Sequence, residues 1–116
     1  MADSGIVLVS TVIDDRAKAE RIARELVEAR RAACVQVAAE PVTSVYRWPN
    51  EETGELELQS EREWSVTAKT TAAGADACVA AIVELHPYDT PEVLITPVLG
   101  GHPAYLEWVA AEIRAA

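Results

Sequence analysis

The chain has 116 residues, half of them apolar, so it can fill the core of one domain (1–116) and leaves no room for a second. Its 19 acidic residues outnumber 10 basic ones, and the formal net charge of −9 argues against nucleic acid and anionic membrane as partners. No stretch approaches the ~18 apolar residues of a membrane span.

The first residues, Met1 to Gly5, show no basic region and no long apolar run, so no secretion signal is expected. Two cysteines, Cys34 and Cys78, do not make a disulfide framework, and a reducing, cytoplasmic setting follows as the expectation. Phe is absent and Ala and Val carry much of the apolar share. Small side chains bury little area each, so burial between subunits is expected to add to the core.

Ile6 to Val12 is β-rich and nearly all apolar, as in a strand covered on both faces. Asp14 or Asp15 then offers a cap for a helix from Arg16 to about Arg31, with Ala19, Ile22, Ala23, Leu26 and Val27 on its apolar face. The Arg30-Arg31 pair suits the helix end. Ala33 to Val37 reads as a second strand that resumes, after Pro41, from Val42 to Trp48. Pro49 to Gly54 is a turn by composition.

Beyond the turn, Leu56, Leu58, Trp64, Val66 and Ala68 share one parity, against Glu55, Glu57, Gln59, Glu61, Glu63 and Lys69 on the other. The pattern predicts a hairpin with arms of roughly 14 residues, against the ~5–6 of an ordinary strand. Arms that long overhang a small domain and call for another surface to lie on. Thr70 or Thr71 then caps a helix carrying Ala75, Cys78, Val79, Ile82 and Val83 on its buried stripe. Val93 to Val98 is a further strand, and Pro103 opens a last helix with Tyr105, Leu106, Val109 and Ile113 as its apolar face. The order βαββαβ plus a helix predicts an α+β, ferredoxin-like sandwich with its helices on one face of the sheet.

Between the second helix and the following strand lies His86-Pro87-Tyr88-Asp89-Thr90-Pro91-Glu92. Two prolines restrict this loop, and it carries an imidazole, a phenol and two carboxylates. His86 suits a metal ligand, a general base or a helix cap, and Tyr88, Asp89 and Glu92 extend the first role to a mixed N/O set. No spacing closes a metal site within the loop, so further ligands must come from elsewhere in the chain or from another subunit. Cys34 reads as a small buried hydrophobe or as a thiol brought to a cleft. Lys69, near a helix start, reads as a surface lysine or an anion anchor. Trp48 and Trp64 pack together or sit in an interface. The hairpin glutamates read chiefly as a solvated face. No phosphate loop, H-E-x-x-H, C-x-x-C or G-x-S-x-G is present. A hydrolase with His86 as base lacks a nameable nucleophile and anion hole.

Six segments, in this order, carry a resemblance to a known family: Ser10-Thr11, Ala32-Ala33-Cys34-Val35, Ser44 to Trp48, Glu63 leading to Lys69-Thr70-Thr71, His86 to Glu92, and Tyr105-Leu106-Glu107-Trp108. The chain resembles the CutA family of divalent-cation-tolerance proteins from about Ile6 to Val109. The resemblance implies a PII-like homotrimer in which long hairpins pair between subunits, and a non-enzymatic role in tolerance of copper and other divalent cations. No cofactor is required, and a divalent metal ion or small ligand is the expected guest. The implied cleft between subunits is lined by His86, Tyr88 and Glu92, with Cys34, Trp48, Glu63 and Lys69 added; His86 and Glu92 are the metal candidates. Copper binding in the family is associated with a first-strand cysteine and with histidine before Pro-Tyr; here the first position is Ser10, Leu85 stands where some relatives have a second His, and only His86 matches. The alternative reading is a PII-like sensor that binds a small molecule, with Lys69 as anion anchor, and signals to a protein partner.

Overall fold

The computed structural model describes residues 4–113. Its elements are β1 (Ile6–Ile13), α1 (Arg16–Glu28), β2 (Cys34–Val37), β3 (Val42–Pro49), β4 (Leu56–Thr71), α2 (Ala75–Leu85), β5 (Val93–Val98) and α3 (Pro103–Glu112). The main sheet runs β2-β4-β1-β5, all antiparallel, and β3 pairs with the outer part of β4. This is the α+β sheet that the apolar patterning predicts.

Val7, Val9 and Ile13 of β1 and Val66 and Ala68 of β4 face Ala19, Ile22 and Leu26 of α1 and Cys78 and Ile82 of α2, forming the main core. Val83, expected on the buried stripe, is 47 % exposed. The third helix departs from the one-sided arrangement. Its Val109 packs on Ile6, Ala33 and Val98 in a separate small cluster. Ile6 alternates with Val7, so α3 covers one end of the opposite sheet face.

Helix α1 starts where expected, with Asp15 Oδ1 accepting from the Lys18 amide at 3.0 Å. It stops earlier than the Arg30-Arg31 pair suggested. Arg30 adopts φ 57°, the left-handed conformation usual for a C-terminal glycine, and the Arg31 amide turns back to Leu26 O at 2.9 Å. The cap of α2 also differs. Strand β4 runs through Thr71, and Gly74 becomes the N-cap while Thr71 Oγ1 accepts its amide at 3.0 Å. A Cβ at Gly74 would lie 3.0 Å from that oxygen and 3.1 Å from Ile113 Cγ2, so a side chain there would require both neighbours to give by a few tenths of an ångström.

The first hairpin arm is not continuous. Val37 pairs with Val66 and Val42 with Glu63, so the four residues Ala38 to Pro41 stand opposite only Trp64 and Ser65. Pro41 lacks the amide a ladder needs, and the excess residues bulge out. Strand β4 is thereby divided by its partners. Residues Trp64 to Thr71 belong to the main sheet, while Leu56 to Glu63 pair with β3 alone. The outer hairpin lacks cover on the face that carries Val45, Leu56 and Leu58, which are 63, 65 and 69 % exposed.

Candidate functional site

The 86–92 loop is fixed to the sheet by its first residues. Helix α2 ends as the His86 amide donates to Ile82 O at 2.9 Å. The His86 ring is buried, and Nε2 lies 2.9 Å from Val12 O. A carbonyl only accepts, so Nε2 carries the proton. Nδ1 then accepts the Tyr88 amide at 3.2 Å. The neutral Nε2–H tautomer satisfies both contacts, and the ring stacks edge-on to Tyr88 at 4.5 Å between centroids.

Tyr88 extends from this anchor to β4, and its hydroxyl donates to Glu63 Oε2 at 2.9 Å. Burial, then the Glu63 hydrogen bond and charge, hold the phenol well above its usual pKa, so it remains a donor. Glu63 is buried although its parity in the hairpin predicts a solvent-facing glutamate. It sits where β4 leaves the main sheet, and the loop closes over it.

Between this loop and β3 runs a groove of about 1190 Å³, lined among others by Asp14, Tyr46, Trp48, Glu63, Asp89 and Glu92. Tyr46 and Trp48 stand edge to face there, with ring centroids 6.4 Å apart. Arg47 is the lone basic residue among the groove's described lining, against six carboxylates.

The structure therefore divides the predicted site residues. Trp48, Glu63, Tyr88 and Glu92 come together in the groove, with His86 behind them as the loop's anchor. Both His86 nitrogens are engaged within the chain, so a metal would have to displace Val12 or Tyr88 to reach one. Among the described residues, no three His, Cys, Asp or Glu side chains converge to hold a metal ion. Cys34 and Lys69 lie elsewhere, directly opposite one another on β2 and β4. Lys69 Nζ donates to Gln36 Oε1 at 2.7 Å. Tyr105 of α3 faces Cys34, and burial, then Cys34, raise its pKa. Sequence reasoning missed Asp14 and Tyr46 as part of the groove. In the sequence Asp14 offers only a helix cap, whereas the i, i+2 spacing of Tyr46 and Trp48 is a usable signal that both rings share one strand face.

Residues 7–112 match the family model described as CutA1 divalent ion tolerance protein. The divalent-cation tolerance protein CutA of Pectobacterium atrosepticum is 39 % identical over 109 residues, spanning 94 % of this chain and 92 % of that protein. The crystal structure of CutA1 from Shewanella sp. SIB1 superposes with a TM-score of 0.85 at 32 % identity, covering 96 % of this chain and 97 % of that one. CutA1 from Oryza sativa gives a TM-score of 0.86 at 29 % identity, covering 96 and 95 %. Among the described residues, no helix is long and apolar enough to cross a membrane.

Proposed function

The chain belongs to the CutA1 divalent ion tolerance family, and from that premise we propose that it is a single-domain, cytoplasmic, PII-like homotrimer. Its role in this reading is tolerance of divalent metal ions, copper among them. It acts by binding a metal ion or small cationic ligand in grooves that neighbouring subunits complete.

The observation that carries the reading is Glu63, a buried carboxylate with one hydrogen-bond donor that faces a groove rich in other carboxylates. Buried charge is costly unless compensated, and a cation in the groove supplies the compensation. Ser10 in the first strand offers no thiolate, which favours oxygen ligands over a soft copper(I) set. The described residues of one protomer do not gather three ligands, so in this reading a bare ion takes its remaining ligands from a neighbouring copy. The trimer is supported by the uncovered hairpin, where Val45, Leu56 and Leu58 need a surface, and by β5, an edge strand with exposed Leu94 and Ile95.

The test is cellular and physical together. A host lacking its own copy of this gene is challenged with copper while carrying wild type or Glu63→Gln, and sedimentation velocity records the assembly of each purified protein. The reading predicts a trimer for both and copper tolerance for wild type alone. A wild-type monomer at micromolar concentration, or equal tolerance from both, overturns it.

A further inference from the structure

Glu63 is only 6 % exposed and lines the groove, yet just one of its oxygens is engaged. Among the described residues, Oε1 accepts no hydrogen bond, and no basic nitrogen pairs with the carboxylate. The groove's other acids, including Asp14, Asp89 and Glu92, do not gather around it, since no three converge. A small hard ion draws several oxygens to within about 2.0–2.6 Å. The dispersed carboxylates of one protomer do not do that by themselves, but they suit a ligand whose positive charges are themselves spread out.

The groove also has an apolar wall. Tyr46 and Trp48 are 39 and 48 % exposed and set edge to face along β3. Burial, then the charges of Glu61 and Glu63, raise the Tyr46 pKa, which places its ring in the field of these carboxylates. Aromatic faces beside carboxylates hold alkylammonium groups, the rings taking the methylenes and part of the charge. A bare hydrated metal ion makes no use of such a wall.

We propose that the groove takes an extended organic cation, an alkyl diamine or polyamine, with one ammonium on Glu63 Oε1 and its methylenes across Tyr46 and Trp48. The remaining ammonium groups reach the other carboxylates along the groove. This names the ligand class of the site proposed above and rests on that reading.

Isothermal titration of the full-length protein at physiological ionic strength tests it, with spermidine and 1,5-diaminopentane beside Mg²⁺, Cu²⁺ and ATP. Saturable binding of the amines to wild type is expected. Glu63→Gln should weaken it about tenfold or more, through loss of a desolvated charge pair. Trp48→Ala, on a half-exposed ring, leaves the net charge unchanged and should weaken it about fivefold. Trp48→Ala also carries the test where Glu63→Gln perturbs folding. Amine binding that ignores Trp48→Ala is diffuse attraction to an acidic surface and overturns the inference. Metal binding that depends on Glu63, with no amine binding, overturns the inference and leaves the groove as the ligand site. No binding of any cation to wild type overturns both. Binding of ATP in preference to the amines also refutes an organic cation.

Discussion

Replacing Tyr88 by Phe removes one hydroxyl and strands the Glu63 carboxylate, which has no other hydrogen-bond donor among the described residues. Hydrogen bonds to charged groups contribute about 1.5–3 kcal/mol, and Tyr88 is itself only half-buried, so the lower part of that range, about 1.5–2 kcal/mol, applies. At about 4 °C per kcal/mol for a chain of this size, Tm should fall by about 6–8 °C. Glu63→Gln supplies the control. It should destabilise wild type but be neutral or stabilising in the Tyr88→Phe background, where the carboxylate is buried without a donor. Urea unfolding of the four proteins at one protomer concentration measures the coupling. The raised Tyr88 pKa adds a pH signature. The folded state holds this proton more tightly, so the stabilisation is complete below pH about 10 and is lost as pH rises further. Wild type should therefore lose stability above that pH more steeply than Tyr88→Phe. Single and double variants all within about 0.5 kcal/mol of wild type would refute the contact.

His86→Ala removes two internal hydrogen bonds and a ring contact, and should cost about 2–4 kcal/mol by urea unfolding, whether or not metal is present. A stability loss seen only with metal would make His86 a ligand instead of an anchor. Arg30→Gly should raise Tm, because glycine adopts the left-handed conformation at Arg30 without the cost of about 1–2 kcal/mol, and the half-exposed Arg30–Glu112 pair that is lost contributes little. Burial pushes the Cys78 thiol up to about 11. Its stabilising effect holds below the ordinary thiol pKa and is lost as pH climbs towards 11, and a thiol reagent at neutral pH should label Cys34 in the native protein but Cys78 only on unfolding. Thr11→Val should be neutral or stabilising, since the buried Thr11 hydroxyl has no partner among the described residues.

Periodicity made the helices and the alternating half of β4 legible, because Ala19, Ile22 and Leu26, and Val66 with Ala68, must face one core. The helix ends were less so. Arg30 and Gly74 are decided by how the chain turns onto the next element, which residue type alone does not encode. The split of the first arm was half visible in Pro41, but the two-residue excess emerges only from the pairing register. In the groove, rigidity and polarity marked the 86–92 loop, and the family resemblance added Trp48 and Glu63. Cys34 and Lys69 fell outside the groove because Lys69 lies six residues further along β4 than Glu63, about 20 Å at ~3.3 Å per residue, and Cys34 of β2 is paired with Lys69, which only the strand pairing reveals. The burial of Glu63 ran against its polar parity, since the loop that covers it arrives from more than twenty residues away.

The proposed cation site stands or falls on the Glu63 carboxylate. Calorimetric titration of a divalent cation into wild type and into Glu63→Gln, both first shown by sedimentation to share one assembly state, measures it directly. Saturable binding to wild type is expected, weakened about tenfold or more in the variant. Equal affinity in the two proteins would contradict it.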